Sequence, residues 1–225
     1  MKQLHGFTLA EVLITLGIIG IIAAITIPAL VEKHQKQVFV TKIKYTYTIV
    51  SNALLSAKAD YGDLSGWEWG NDTTLEGTEK FVNTYLSPYL NITEQGAADF
   101  GNYWYVKLKN GVTLTIGRDG CTNPEKCNPV SIDTVYIIGS LKGKKSYISD
   151  NNRDYSRDDF VLRFTKASKG LIFFYGGSGY VADTREKAMN HPTYGCNATI
   201  PKNKRYNCGQ LIFLDGWQIK EDYPW

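Results

Sequence analysis

Two different hydrophobic patterns follow one another at the start of the chain. Over residues 7–30 the side chains are apolar apart from three threonine hydroxyls and the carboxylate of Glu11, with no alternation of polar and apolar positions. At about 1.5 Å per residue this run is long enough, as a helix, to cross a hydrocarbon core of about 30 Å. From Glu32 the pattern turns amphipathic: Phe39, Ile43, Tyr47, Val50, Leu54 and Ala57 recur at spacings of four, four, three, four and three, while Lys36, Lys42, Lys44, Thr48 and Asn52 take other faces. Such a stripe predicts a continuing helix with one face laid on a sheet. Asp60-Tyr61-Gly62 supplies an end, with Gly62 as the cap residue.

The rest of the chain is patterned in shorter pieces. Residues 62–101 form a linking region rich in Gly, Asp, Asn and Thr, with one helical candidate over 78–90, where Phe81, Val82, Tyr85, Leu86 and Leu90 share a face and Ser87-Pro88 bends or ends it. Trp67 and Trp69 read as a lid over a sheet, with a sugar-stacking surface pair as the other possibility. Strands are predicted at 103–109 and 112–116, separated by the hairpin signal Asn110-Gly111, and again at 130–138, 160–165 and 171–175. The fold class is therefore α+β, a long N-terminal helix packed on an antiparallel sheet. Beyond Gly176 the chain is loop-rich, with helical potential over 183–190, and 210–214 reads equally as helix or strand.

The one charge in the apolar run changes the picture. A carboxylate at the centre of a spanning helix costs about 2.5–3.5 kcal/mol on insertion scales, and Glu11 sits near the end instead. It follows a Gly6-Phe7 junction that a peptidase could cut. The freed amine of Phe7 would then be a cation about 6 Å along the axis from Glu11. A parallel copy shifted by that rise sets the amine of one copy beside the Glu11 of the next, a head-to-tail pairing that builds a filament. The plain alternative is an ordinary anchor in which Glu11 favours the positive end of the helix dipole. Pro28 predicts a kink, since it lacks an N–H and crowds the carbonyl of residue 24, and Gly17 and Gly20 loosen the same half.

The residues Gly6-Phe7-Thr8-Leu9-Ala10-Glu11, after a short leader containing Lys2 and before an unbroken apolar run with Pro28 in it, resemble the prepilin signal of the type IV pilin and type II secretion pseudopilin superfamily. The resemblance covers about residues 1–60. It implies cleavage after Gly6 by a prepilin peptidase, N-methylation of Phe7, a role for Glu11 in assembly, and a pilin-like long helix with a globular head. On this reading 1–6 is the leader, 7–31 the transmembrane and filament-core helix, 32–60 its amphipathic continuation, and 61–225 the head. The implied partners are copies of itself, other pilin-like subunits, prepilin peptidase, the assembly machinery of the bacterial cytoplasmic membrane, and lipid before assembly. The implied place is a single pass with an extracytoplasmic head, then a periplasmic or cell-surface filament.

Composition adds bounds. The chain has 225 residues, and about 165 remain for the head, the usual size of one domain. The formal charge of +3 is too small and too scattered to mark a nucleic-acid partner. Tyrosines, at 15, outnumber the 9 phenylalanines, which suits half-wet surfaces. Residues 1–6 do not fit a secretory signal peptide. A rival cut near Ala24 or Ala29 would release a soluble head. Lys33, Lys36, Lys42 and Lys44 follow the apolar run while only Lys2 precedes it, so the positive-inside rule alone would put the head in the cytoplasm. The resemblance and the cysteines place it outside.

Four cysteines, Cys121, Cys127, Cys196 and Cys208, do not have zinc-site spacing, and in a head carried across a membrane they read as disulfides. Of the three pairings, Cys121 with Cys127 and Cys196 with Cys208 each staple their own loop. A C-terminal disulfide loop is similar to one in many pilins; the pair Cys121 and Cys127 is not a general family feature. Asp150, Asn152, Asp154, Ser156 and Asp158 alternate oxygen side chains as a calcium loop does, but Tyr155 stands where an EF-hand needs glycine and Val161 where it needs Glu. Calcium is thus a candidate against a turn-forming cluster beside Arg153 and Arg157, and no other cofactor is indicated.

Catalysis finds little support: His5 lies in the leader, His34 just past the apolar run and His191 before Pro192. Gly176-Gly177-Ser178-Gly179-Tyr180 misses a nucleophile elbow at its fifth residue and reads as a turn. The glycosylation triplets at Asn71, Asn91 and Asn197 are discounted, because a prepilin signal implies a prokaryote. The expected function is a non-enzymatic structural subunit of a type IV pilus-like or type II secretion pseudopilus filament. The alternative is a monomeric membrane-tethered binding module with an aromatic-rich head.

Overall fold

The structure, a computed structural model, describes residues 8–69, 74–119, 133–146, 148, 150–177 and 181–225. Helix α1, Leu9–Tyr61, contributes to two compact units, residues 1–38 and 39–225. In the first unit the helix runs on through Pro28 without a break. Its large apolar side chains, Leu13, Ile14, Ile18, Ile22, Ile25 and Leu30 among them, are exposed. Between Glu32 and Lys36 an ion pair of 2.6 Å spans one helical turn.

In the second unit the predicted stripe is buried at Phe39, Ile43, Val50, Leu54 and Ala57, with Thr46 and Ala53 added to it. The helix ends where Gly62 takes a φ of +76°, a conformation that glycine adopts without steric cost. The stripe shares one core with alternate residues of an antiparallel sheet, including Val106, Leu114, Ile116, Ile137, Leu162 and Phe164. Among the described residues that sheet has six strands in chain order: β1 Ile92–Ala97, β2 Trp104–Leu108, β3 Thr113–Asp119, β4 Thr134–Ser140, β5 Asp159–Thr165 and β6 Phe173–Phe174. The opposite face is covered as well. Ile138 of β4 and Val161 of β5 pack with Tyr155 and Tyr206, and with the half-buried Tyr103, Ile148, Tyr175 and Tyr194.

Several elements depart from the sequence expectation, each for a physical reason. The helix expected over 78–90 is α2, Leu75–Tyr85, capped by the Thr74 hydroxyl, which accepts from the Gly77 amide at 3.2 Å. It stops ahead of Pro88, which sits in a one-turn helix, Ser87–Tyr89. Residues read as linker contain β1, a mostly exposed edge strand without an apolar rhythm. β4 lies later than 130–138, of which 130–132 fall outside the described residues, and it extends through Gly139. A Cβ there would stand 2.2 Å from the Phe160 ring, so the cross-strand ring occupies the space a side chain would need. The strand expected over 171–175 is reduced to the two residues of β6. Residues 183–190 form α3, Arg185–Asn190, and 210–214 belong to α4, Cys208–Leu214.

Trp67 and Trp69 are buried, and they pack under α2 rather than facing solvent. Trp67 stacks on Tyr85 with ring centroids 4.3 Å apart, and Trp69 meets Phe81 at 5.5 Å and the sheet residue Phe164 at 6.1 Å.

Candidate functional site

The chain enters α1 through Thr8, whose hydroxyl accepts from the Glu11 amide at 3.3 Å. In return one carboxylate oxygen of Glu11 accepts from the Thr8 amide at 2.7 Å and from the Thr8 hydroxyl at 2.8 Å. This is a capping box, Thr-x-x-Glu, in which two helix-end donors are satisfied reciprocally. Its spacing is visible in the sequence, yet the role of Thr8 is not found by weighing Glu11 alone. The other hydroxyls of the apolar run turn back on their own helix, Thr15 to the carbonyl of Glu11 and Thr26 to that of Ile22, each at 2.9 Å. Glu11 is the one formal charge over residues 9–31, set in the first turn of the helix. By length and composition that helix can cross a membrane. Gly6 and Phe7, the expected processing site, lie outside the described residues.

Residues 1–27 match the prokaryotic N-terminal methylation motif, and residues 29–225 match a family described as "Family of unknown function (DUF6613)". The chain belongs to DUF6613. No curated protein and no solved structure matches it. The methylation motif, the apolar helix and the antiparallel sheet together make this DUF6613 protein pilin-like in signal and in fold.

The remaining candidates separate on inspection of their contacts. In the Asp150 to Asp158 segment the side chains of Asp150, Asp154, Ser156 and Asp158 bond within the chain itself. Asp150 accepts from the Asn152 amide at 2.9 Å, Asp154 from the Ser156 amide at 3.0 Å and the Ser156 hydroxyl at 2.6 Å, and Asp158 meets Lys142 at 2.6 Å. The backbone carbonyl of Asn152 accepts from Lys144. The segment winds around Arg153, whose fully buried guanidinium meets the equally buried Asp159 at 3.0 Å and donates to the Ser146 carbonyl. Among the described residues no group of three or more His, Cys, Asp or Glu side chains is arranged to hold a metal ion.

Cys196 and Cys208 are joined in a disulfide with their Cα atoms 4.8 Å apart, tying the stretch after α3 to the start of α4. Cys121 and Cys127 lie outside the described residues. His191 closes α3, its Nδ1 accepting from the amides of Thr193 at 3.2 Å and Tyr194 at 3.1 Å. In the glycine-rich turn, residues 178–180 lie outside the described residues, and Gly177, at a φ of +90°, lies so close to the Tyr194 ring that a Cβ would stand 2.0 Å from it.

Proposed function

We propose that this chain is the precursor of a structural filament subunit of the type IV pilus-like or type II secretion pseudopilus class. It is cut between Gly6 and Phe7 by a prepilin peptidase, N-methylated on Phe7, and held by the apolar helix in the bacterial cytoplasmic membrane with its head extracytoplasmic. It then packs through that helix with copies of itself and other pilin-like subunits. The observation that carries this reading is the methylation motif over residues 1–27, placed on a helix with one carboxylate in its first turn. In the filament the Phe7 amine of one subunit pairs with Glu11 of the next, which sets register where an uncompensated charge is costly. The reading assigns the chain no catalytic role.

The test is the N-terminal mass of the protein recovered from membranes of cells with and without the peptidase. A methylated Phe7 as first residue, only when the peptidase is present, is the expected result. An intact Met1 in competent cells would leave a plain anchor and overturn the assembly reading.

A further inference from the structure

Within the head a cleft of about 440 Å³ opens between three segments far apart in sequence. Tyr45 and Asn52 come from α1, Tyr89 and Asn91 from the stretch after α2, and Asn110 from the turn between β2 and β3, over a floor that includes the buried Leu90 and Leu108. The volume falls among the roughly 300–1,000 Å³ typical of small-molecule sites.

The walls are held in place by backbone. The Lys109 amide donates to the Asn91 carbonyl at 2.9 Å, which ties the β2–β3 turn to the segment beside it. In that turn the Leu108 amide meets the Val112 carbonyl, and the Asn110 side-chain oxygen accepts from the Val112 amide at 3.0 Å. The bond fixes the plane of the Asn110 carboxamide. Its Nδ2 is buried and has no hydrogen-bond partner among the described residues. Tyr89 is oriented by its hydroxyl, which donates to Asp60 at 2.5 Å, and the Tyr45 side chain is 49% exposed.

The chemistry of the lining selects a ligand class. The exposed carboxamides of Asn52 and Asn91 each offer donors and an acceptor, the rings of Tyr45 and Tyr89 offer apolar faces, and the lining has one cation, Lys109, and no carboxylate. A purely apolar ligand would leave the amides without partners, and an anion such as phosphate calls for more than one cation. A ring with C–H bonds on its faces and neutral hydroxyls around its edge satisfies both kinds of wall. We propose that this cleft is a carbohydrate site that takes a neutral pyranose. The site does not depend on filament assembly, and an unassembled subunit can be tested for it.

The experiment uses the full chain in phosphatidylcholine nanodiscs, which carry no sugar headgroup. Methyl glycosides of glucose, galactose, mannose and N-acetylglucosamine are screened by saturation-transfer NMR at about 10 mM, a concentration suited to millimolar affinities. At least one is expected to show transfer. Tyr45→Ala is expected to weaken its binding about tenfold or more. Asn52→Leu, on the exposed surface of α1, gives the same readout without touching the hairpin turn, and Phe100→Ala, an exposed ring outside the cleft, is expected to leave binding unchanged. No transfer from any of the sugars, or transfer that survives both Tyr45→Ala and Asn52→Leu, would overturn the proposal.

Discussion

The Glu11 carboxylate lies 2.7 Å from the Thr8 amide and 2.8 Å from the Thr8 hydroxyl, so the one charge of the apolar helix is already held within its own chain. In the proposed filament, pairing with a neighbouring Phe7 amine would add a compensating cation to a carboxylate that these neutral donors hold in place but do not neutralise. Thr8→Val removes the hydroxyl half of this box at a cost of about 1 kcal/mol and leaves the backbone donor in place. Glu11→Ala removes the carboxylate altogether. Crosslinking through the helix is expected to give shortened ladders for Thr8→Val and none for Glu11→Ala, with both proteins inserted and their heads folded. Normal ladders from Glu11→Ala would remove the pairing from the assembly mechanism.

Arg153 and Asp159 form a fully buried ion pair at 3.0 Å, with the second Asp159 oxygen accepting from the Asp154 amide at 2.9 Å. Removing one partner leaves an uncompensated charge in the interior, which costs about 3–5 kcal/mol. Asp159→Ala should therefore lower the melting temperature of the head by about 10 °C. Replacing both residues together, Arg153→Met with Asp159→Leu, should recover much of that loss. An equal loss in the double variant would mean that the hydrogen bonds to the segment, and not the buried charge, set its stability.

Face and edge chemistry of β1 carry a pH dependence. Glu94 accepts from the Tyr105 hydroxyl at 2.7 Å and meets Lys145 at 3.2 Å, and these contacts hold its carboxyl below the ordinary range. A depressed carboxyl pKa stabilises the fold above the unfolded value, near 4.5, and the contribution disappears as pH falls through the folded value. Because the Glu94 side chain is 47% exposed, solvent screens these contacts and the effect on stability is small. Urea denaturation should find Glu94→Gln slightly destabilised near pH 7, with the difference shrinking as the pH falls through the lowered folded-state value. A difference that persists in acid would point to the shape of the side chain and not its charge.

The amphipathic stripe of α1 could be read because one face meets the core and the others meet solvent, so spacing and burial coincide from Phe39 to Ala57. β1 was hidden for the opposite reason: an edge strand exposed over most of its length imposes no apolar alternation on Ile92–Ala97. In β4 and β5 both faces are covered, and the strands appear as apolar runs whose ends the sequence does not mark. Asn110-Gly111 signalled the hairpin correctly, but the loop is three residues long, with Gly111 alone at a positive φ, +84°, as in a type I turn closed by a bulge. The N-terminal site was legible because its residues are consecutive. The cleft was not, since Tyr45, Tyr89 and Asn110 meet only after the sheet has formed.

The Cys196–Cys208 disulfide closes a loop with a sequence separation of 12, and both sulfur-bearing residues are fully buried. A loop of that size restrains the unfolded chain by about 3 kcal/mol in the chain-entropy picture. Replacing both cysteines by alanine should lower the denaturation midpoint by the corresponding amount without changing the slope of the transition. A changed slope would show that the bond also alters how far the unfolded chain expands. In the parent protein the burial of both cysteines should make the bond resistant to mild reductant until the head unfolds.

Among the described residues three non-glycine residues have left-handed backbone, Asp133, Lys169 and Trp217, and the contrast between the last two separates backbone strain from packing. Lys169, at a φ of 53°, is exposed, and its backbone carbonyl accepts from Lys58 at 3.3 Å, a bond that survives any substitution of its side chain. Lys169→Gly relieves about 1 kcal/mol of steric cost and returns part of it as added freedom of the unfolded chain, for a net gain of about 0.5 kcal/mol. Trp217, at a φ of 65°, follows Gly216 after α4 and pays the same backbone cost. Its ring, however, lies 5.4 Å from Phe213, 5.6 Å from Tyr47 and 6.2 Å from Phe174, centroid to centroid. Trp217→Gly gives up that packing and should destabilise the head by about 2 kcal/mol, since the ring is only half-buried and loses less than a core aromatic. Equilibrium denaturation of the two glycine variants side by side decides it. Loss of stability in both would show that the left-handed turns are held by their side chains, whereas the expected opposite signs assign the cost to the backbone and the compensation at Trp217 to its aromatic neighbours.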